Sequence, residues 1–229
     1  ARAQAAAWLT PDTELRADPQ TGRVEALRHR ASAAAWADRP FPLFRVSGSE
    51  HLRTELAART TPDGILLTLR ITNPGAQPQL VTPTFPDLQL RGTNAADHAQ
   101  LRYCFPARVA LIGSSNQSDR AFYSGICPVQ FLAADHPARG SLHVVICDTN
   151  HTRKLFGLDK TGEVLRLFAE HEARQLPPGG EWVLPPVLLA TTGGTWHAGL
   201  AAYRRWLDSW YRPAAKNQRW SFRMGPRKV

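Results

Sequence analysis

Residues 64–75, GILLTLRITNPG, decide the fold. Ile65, Leu67, Leu69 and Ile71 recur at a period of two, while Thr68, Arg70 and Thr72 take alternate positions. Side chains of an extended backbone point to opposite faces in turn, so this pattern predicts a strand with one dry face and one wet face. Antiparallel sheets tolerate that asymmetry, whereas strands of all-parallel sheets are buried on both sides. Asn73, Pro74 and Gly75 end the strand with turn chemistry.

Working outward, Glu14–Ala17 and Arg23–Arg28 flank Asp18, Pro19, Gln20, Thr21 and Gly22, which predicts a hairpin. Val24 and Leu27 break strict alternation there, leaving room for a bulge or a bend. The Ala-rich stretch Ala31–Ala37 runs into Arg39, Pro40, Phe41 and Pro42, which stop any helix. Further strands are predicted at LVTPTFPDLQL (80–90), ARVALI (107–112), VQFLAAD (129–135), LHVVICD (142–148), VLRLFAEH (164–171) and WVLPPVLLA (182–190). Polar or Gly/Pro-containing loops separate them, among them GSSNQSD (113–119) and LPPGGE (176–181). Pro83, Pro86, Pro185 and Pro186 inside these strands point to edges, bulges or switches between sheets. With no alternation of strand and helix, a doubly wound parallel sheet is excluded in favour of a sandwich.

The one long helical pattern is TWHAGLAAYRRWLDSWY, residues 195–211. Trp196, Leu200, Tyr203, Leu207 and Trp210 make one apolar stripe, with Arg204, Arg205 and Asp208 off it. Thr195 is placed to cap the first turn, and Pro213 follows the end. The fold expected is mainly β: an antiparallel β-supersandwich over 13–212 with one C-terminal amphipathic helix. A flexible segment is expected over 1–12 and a basic tail or linker over 213–229.

The chain has 229 residues with 43% apolar and 21% charged side chains, enough for a sizeable globular core. No apolar run approaches the roughly 20 residues of a membrane span. The net charge of +9 raises nucleic acid as a partner, but the Arg residues are scattered, often one per strand. Binders of phosphate backbones concentrate charge on one face, and only Lys216–Lys228 is dense here, so nucleic acid is disfavoured. Cys104, Cys127 and Cys147 form no CxxC pair; they read as structural thiols, or as one disulfide with a spare. The opening ARAQAAAW contains an A-x-A triplet of the kind that precedes signal-peptidase cleavage, which favours a periplasmic or secreted protein.

Residues 122–211 resemble a known family. The pieces that carry the likeness are Tyr123, Ser124 and Gly125; Val129, Gln130 and Phe131; Cys147 and Asp148; Lys154; Trp196 and His197; and Tyr203, Arg204, Arg205 and Trp206. They resemble the N-terminal β-sandwich domain, galactose-mutarotase-like, of bacterial glycoside-hydrolase-type proteins that carry a domain-of-unknown-function label. Ser124 stands where that family has Pro, and Cys147 where it has His before the Asp. The resemblance implies a supersandwich that leans on a catalytic (β/α)8 barrel through its terminal helix, the barrel following Pro213 or lying on a neighbouring chain. It implies a sugar-processing context.

Glycoside hydrolysis needs two carboxyl groups about 5 to 9 Å apart. Asp135, Asp148 and Glu172 are available, yet no spacing pairs them, and the resemblance gives the catalytic acids to the barrel. A mutarotase needs a His acid and a Glu base on one sheet, and nothing ties His136, His143 or His151 to Glu163, Glu170 or Glu172. The histidines form no HExxH pair, and His143 with Cys147 gives only two ligands, so neither metal nor cofactor is expected. The polar run from Asp148 through Asn150 and His151 to Arg153 and Lys154 is either a self-bonded loop or a rim for sugar hydroxyls or the barrel. Trp196, Trp206 and Trp210 can stack on a sugar, though helical spacing favours packing or a domain interface. The expected function is a non-catalytic accessory domain of a glycoside hydrolase, with no catalytic residue in this chain. Its carbohydrate or interface residues are Asp148, Asn150, His151, Lys154, Trp196, Trp206 and Trp210. The alternatives are a stand-alone aldose epimerase and a module for polyanionic glycans.

Overall fold

A computed structural model describes residues 5–37, 39–48, 51–107, 110–123 and 125–212 of the chain. In order, the elements are β1 (Ala6–Leu9), β2 (Thr13–Ala17), β3 (Arg23–His29), β4 (Ala34–Ala35), β5 (Phe41–Pro42), β6 (Arg45–Ser47), β7 (Arg53–Thr61) and β8 (Gly64–Thr72). There follow β9 (Gln79–Leu90), α1 (Ala95–Ala99), β10 (Arg102–Phe105), β11 (Leu111–Gly113), β12 (Gln117–Tyr123), β13 (Phe131–His136) and β14 (Gly140–Ile146). The last are β15 (Lys154–Thr161), β16 (Val164–His171), β17 (Arg174–Leu176), β18 (Glu181–Val183), β19 (Val187–Thr192) and α2 (His197–Trp210). Every pairing among the described strands is antiparallel.

Three sheets result. The largest runs β11-β10-β13-β14-β19-β8-β18, with β7 also on β8; the second runs β12-β15-β16-β9-β17, with β6 on β9; the smallest holds β1 to β5. The strand that decides the fold behaves as its period dictates. Ile65, Leu67, Leu69 and Ile71 are fully buried between β7 on one side and β18 and β19 on the other. They meet Phe156, Leu158, Leu165 and Leu167 of the second sheet in one continuous core. Each such side chain contributes about 1.5–3 kcal/mol on leaving water, so a handful of them fixes which faces turn inward.

The predicted hairpin forms as β2 and β3, and a register shift at Arg16 and Ala17 supplies the bulge. Gly22 closes its turn at φ +66°, and a Cβ there would sit 2.3 Å from the Phe44 ring. The prolines mark irregularities, as expected. Pro86 lies where β9 shifts register against β16, Pro83 lies where β9 pairs with the short strand β6, and Pro185 and Pro186 interrupt one line of pairing on β8 into β18 and β19.

Other expectations change. Ala6–Leu9, inside the stretch expected to be flexible, pairs with β2. GSSNQSD is not wholly loop, because β12 starts at Gln117 and lies against β15. Of ARVALI only Leu111 and Ile112 are strand, and Arg108 and Val109 fall outside the described residues, as do Ser124 and the basic tail 213–229. Thr195 does not cap α2: Trp196 already has helical dihedrals, no side chain caps the helix, and the Thr195 hydroxyl lies 2.9 Å from His197 Nδ1. Among the described residues no helix is long and apolar enough to cross a membrane.

Helix α2 lies on the outer face of the largest sheet, over Phe131, Ala133, Val145 and Leu188. Gly199 and Ala202 are its buried residues, and the stripe of Trp196, Leu200, Tyr203 and Trp206 packs beside them, half-buried. The apolar stripe is therefore turned largely onto the chain's own sheet.

Candidate functional site

The polar run expected at 148–154 is the turn between β14 and β15, and it folds around a buried ion pair. Lys154 Nζ donates to Asp148 Oδ2 at 2.6 Å, to Gln130 Oε1 at 3.0 Å and to the Thr152 carbonyl at 2.7 Å, which uses all three of its protons. Asp148 accepts further from the backbone N–H groups of Asn150 (2.9 Å) and Thr152 (2.8 Å) and from the Thr152 hydroxyl. Gln130 completes the ring by donating Nε2 to the Asp148 carbonyl at 2.8 Å. The two charged side chains are 1% exposed or less. Burial alone would raise the Asp148 pKa, but the Lys154 ammonium and the Thr152 hydroxyl outweigh it and hold the carboxyl below its usual range. Burial pulls the Lys154 pKa down, opposed by Asp148.

His151 turns the corner at φ +53°, a conformation uncommon outside glycine. Its Nδ1 is 2.6 Å from the Tyr123 hydroxyl, and its ring lies 5.5 Å from Trp210. Burial pushes the Tyr123 hydroxyl up to about 12, with Tyr203 and Asp148 adding to the effect. Trp210 touches Trp206, which touches Tyr203, so aromatic rings run from the turn along α2. The structure thus brings Asp148, Asn150, His151 and Lys154 together with Trp210 and Trp206. Trp196 stands apart: it stacks on His197 at the other end of α2, roughly 20 Å away at 1.5 Å per residue.

Beside this turn runs an open groove of about 710 Å³. Asn150 and Arg153 form one wall, His171, Glu172 and Arg174 another, and Glu181 to Pro186 the third. Arg153 pairs with Glu172 at 3.4 Å and lies 4.4 Å over the Phe122 ring. Arg174 lies 5.8 Å from the centre of the Trp182 ring. His171 is buried, its Nε2 is 3.0 Å from the Phe85 carbonyl, and burial brings its pKa to about 4. Arg174 and Trp182 escape a sequence reading because they lie on β17 and β18, short strands placed by pairing with β9 and β8.

A second polar cluster also went unforeseen. On the second sheet the carboxylate of Asp87 is fully buried between Arg45 (2.7 Å) and Arg166 (2.6 and 3.2 Å). Phe168 lies beneath the Arg166 and Arg120 guanidiniums, at 4.0 and 4.7 Å, and Arg120 grips Asp159 through two nitrogens. Phe168 covers Gly157, where a Cβ would come within 2.1 Å of its ring. These side chains bind one another completely enough to read as a cross-strand truss.

Cys104, Cys127 and Cys147 are all free thiols. Among the described residues no three His, Cys, Asp or Glu side chains converge as a metal-ligand set.

No protein-family model matches the chain, and no curated protein does. Solved structures do match in shape. A TPR-domain containing protein from Parabacteroides distasonis superposes with a TM-score of 0.57 at 12% identity, over 81% of this chain and 47% of that one. The alpha-galactosidase from Lactobacillus brevis gives 0.50 at 11% identity, over 89% of this chain and 28% of that one. A galactose mutarotase-like protein from Lactobacillus casei gives 0.46 at 9% identity, over 82% of this chain and all of that one. The fold is shared. This chain spans less than half of the first protein and less than a third of the second.

Proposed function

We propose that this chain is a non-catalytic accessory domain of a carbohydrate-active protein, packing beside a catalytic barrel and contacting carbohydrate through the groove. The observation that carries this reading is the closed Asp148–Lys154 network. Asp148 and Lys154, at the head of the groove, are held inside the turn: all three Lys154 protons go to Asp148, Gln130 and the Thr152 carbonyl, and the Asp148 carboxylate accepts from Asn150, from Thr152 twice and from Lys154. What remains accessible is binding chemistry: the Asn150 amide, the Arg153 and Arg174 guanidiniums and the Trp182 indole. His171 offers little as a proton shuttle, with one nitrogen on Phe85 and a pKa near 4.

The resemblance of residues 122–211 to the sandwich domain of glycoside-hydrolase-type proteins supports the same reading, as does the likeness in fold to part of an alpha-galactosidase. For a partner surface the chain offers exposed Phe122 near the end of β12, Ile126 on the loop after it and Tyr211 at the end of α2. His151 and Trp210 join these two regions.

The test is anomeric exchange of glucose and galactose, followed by NMR with and without the protein. The proposal expects the uncatalysed rate and a separate binding signal from oligosaccharides. Accelerated exchange that is lost in His171→Asn would overturn it in favour of an aldose epimerase.

A further inference from the structure

The charges lining the groove do not balance in place. Its three carboxylates each hold a cation of their own: Asp148 has Lys154, Glu172 has Arg153, and Glu181 has Arg70. Arg174 is the cation left over. It is exposed, lines the same groove, and among the described residues makes no ion pair, its guanidinium meeting only the Trp182 ring. The neighbouring His171 stays neutral above pH values near 4, so it neither competes for an anion nor attracts one. An unpaired guanidinium beside a half-buried indole is a two-part recognition element. The fork of N–H donors matches a carboxylate, and the aromatic face suits the C–H side of a sugar ring.

We infer that the groove takes a glycan bearing a carboxylate, a uronic-acid unit, whose carboxylate pairs with Arg174 while its ring lies against Trp182. This rests on the carbohydrate-binding reading above and names its ligand class. The groove volume of about 710 Å³ lies within the range of about 300–1,000 Å³ usual for small-molecule sites. Asn150 and Arg153 on the facing wall supply hydrogen bonds for ring hydroxyls.

The experiment is calorimetric titration of the full chain with a galacturonate trisaccharide and with the neutral galactose trisaccharide of the same linkage. The acidic sugar is expected to bind at least about tenfold tighter, as hydrogen bonds to charged partners imply, and to weaken with added salt. Arg174→Gln removes that preference, Arg174→Lys keeps part of it, and Trp182→Ala weakens both sugars. Equal affinity for the two sugars, or a preference that survives Arg174→Gln, overturns the uronate assignment. If both sugars bind equally and Trp182→Ala abolishes both, the carbohydrate reading stands and only the acidic specificity falls. If neither sugar binds, both fall. Arg174 is exposed, so a thermal melt matching the parent protein shows that the variant folds.

Discussion

Gly199 of α2 rests directly on the His143 imidazole: a Cβ at that position would lie 2.6 Å from His143 Cγ and equally close to the Phe131 ring. The helix approaches the sheet this closely because the contact residue has no side chain. In an exposed helix Gly→Ala gains up to about 1 kcal/mol. At this position the sign reverses, since the imidazole and the phenyl ring sit in a packed layer that yields only by moving the helix. Gly199→Ala is expected to lose about 1–3 kcal/mol in urea unfolding, with a shift in Trp fluorescence as Trp206 is displaced. A variant as stable as the parent would show that α2 docks more loosely.

Removing Lys154 leaves the Asp148 carboxylate buried without its cation. Lys154→Met is expected to cost about 3–5 kcal/mol, the usual result of breaking a buried pair from one side. The double variant Lys154→Met with Asp148→Leu should recover part of that loss, because the orphaned charge is gone. Chemical denaturation of the three proteins measures both effects.

Asp87 and Arg45 predict an asymmetry of the same kind on the second sheet. Asp87 is 0% exposed and serves two guanidiniums, whereas the Arg45 side chain is 51% exposed. Asp87→Asn should therefore lose about 3 kcal/mol or more, and Arg45→Gln should stay within about 1 kcal/mol. Similar losses from both variants would contradict the truss.

Acid should weaken the fold well above the range in which its carboxylates titrate. Burial holds His143 and His171 near 4, against an ordinary value of 6.5. Between those values the unfolded chain binds the extra protons and the native chain does not. The contribution is thus complete above pH 6.5 and falls as pH drops toward 4, by about 3 kcal/mol for each residue. Asp135, raised by burial, works the other way over its own window above 3.8. Urea midpoints at pH 7.5, 6 and 5 should decline in order, and His143→Phe should flatten the slope. A midpoint independent of pH would refute the assignment of neutral buried imidazoles.

Much of the architecture is legible in local pattern, and the gaps have physical causes. β8 and α2 announce themselves because one face of each is dry, which forces a period of two or of about 3.6 on the apolar residues. β7, residues 53–61, pairs along all of β8 yet buries only Leu56, so RTELAARTT carries no alternating signal. β12 hides for a related reason: Gln117 to Arg120 keep polar side chains on both faces of a strand at the end of its sheet.

By itself the sequence determined that β2, β3, β8, β9, β13, β14, β16 and β19 are extended, where prolines interrupt strands, and that one amphipathic helix forms within residues 195–211. These follow from steric and solvation preferences acting over a few residues. Tertiary structure alone decided that Lys154 closes on Asp148 rather than facing a ligand, and that α2 turns its stripe onto its own sheet. It also decided that Arg174 meets Trp182 and that Asp87 is caught between two arginines. Those arrangements depend on strand neighbours and register set by the burial of the whole core, and no local spacing encodes which distant strands will lie side by side.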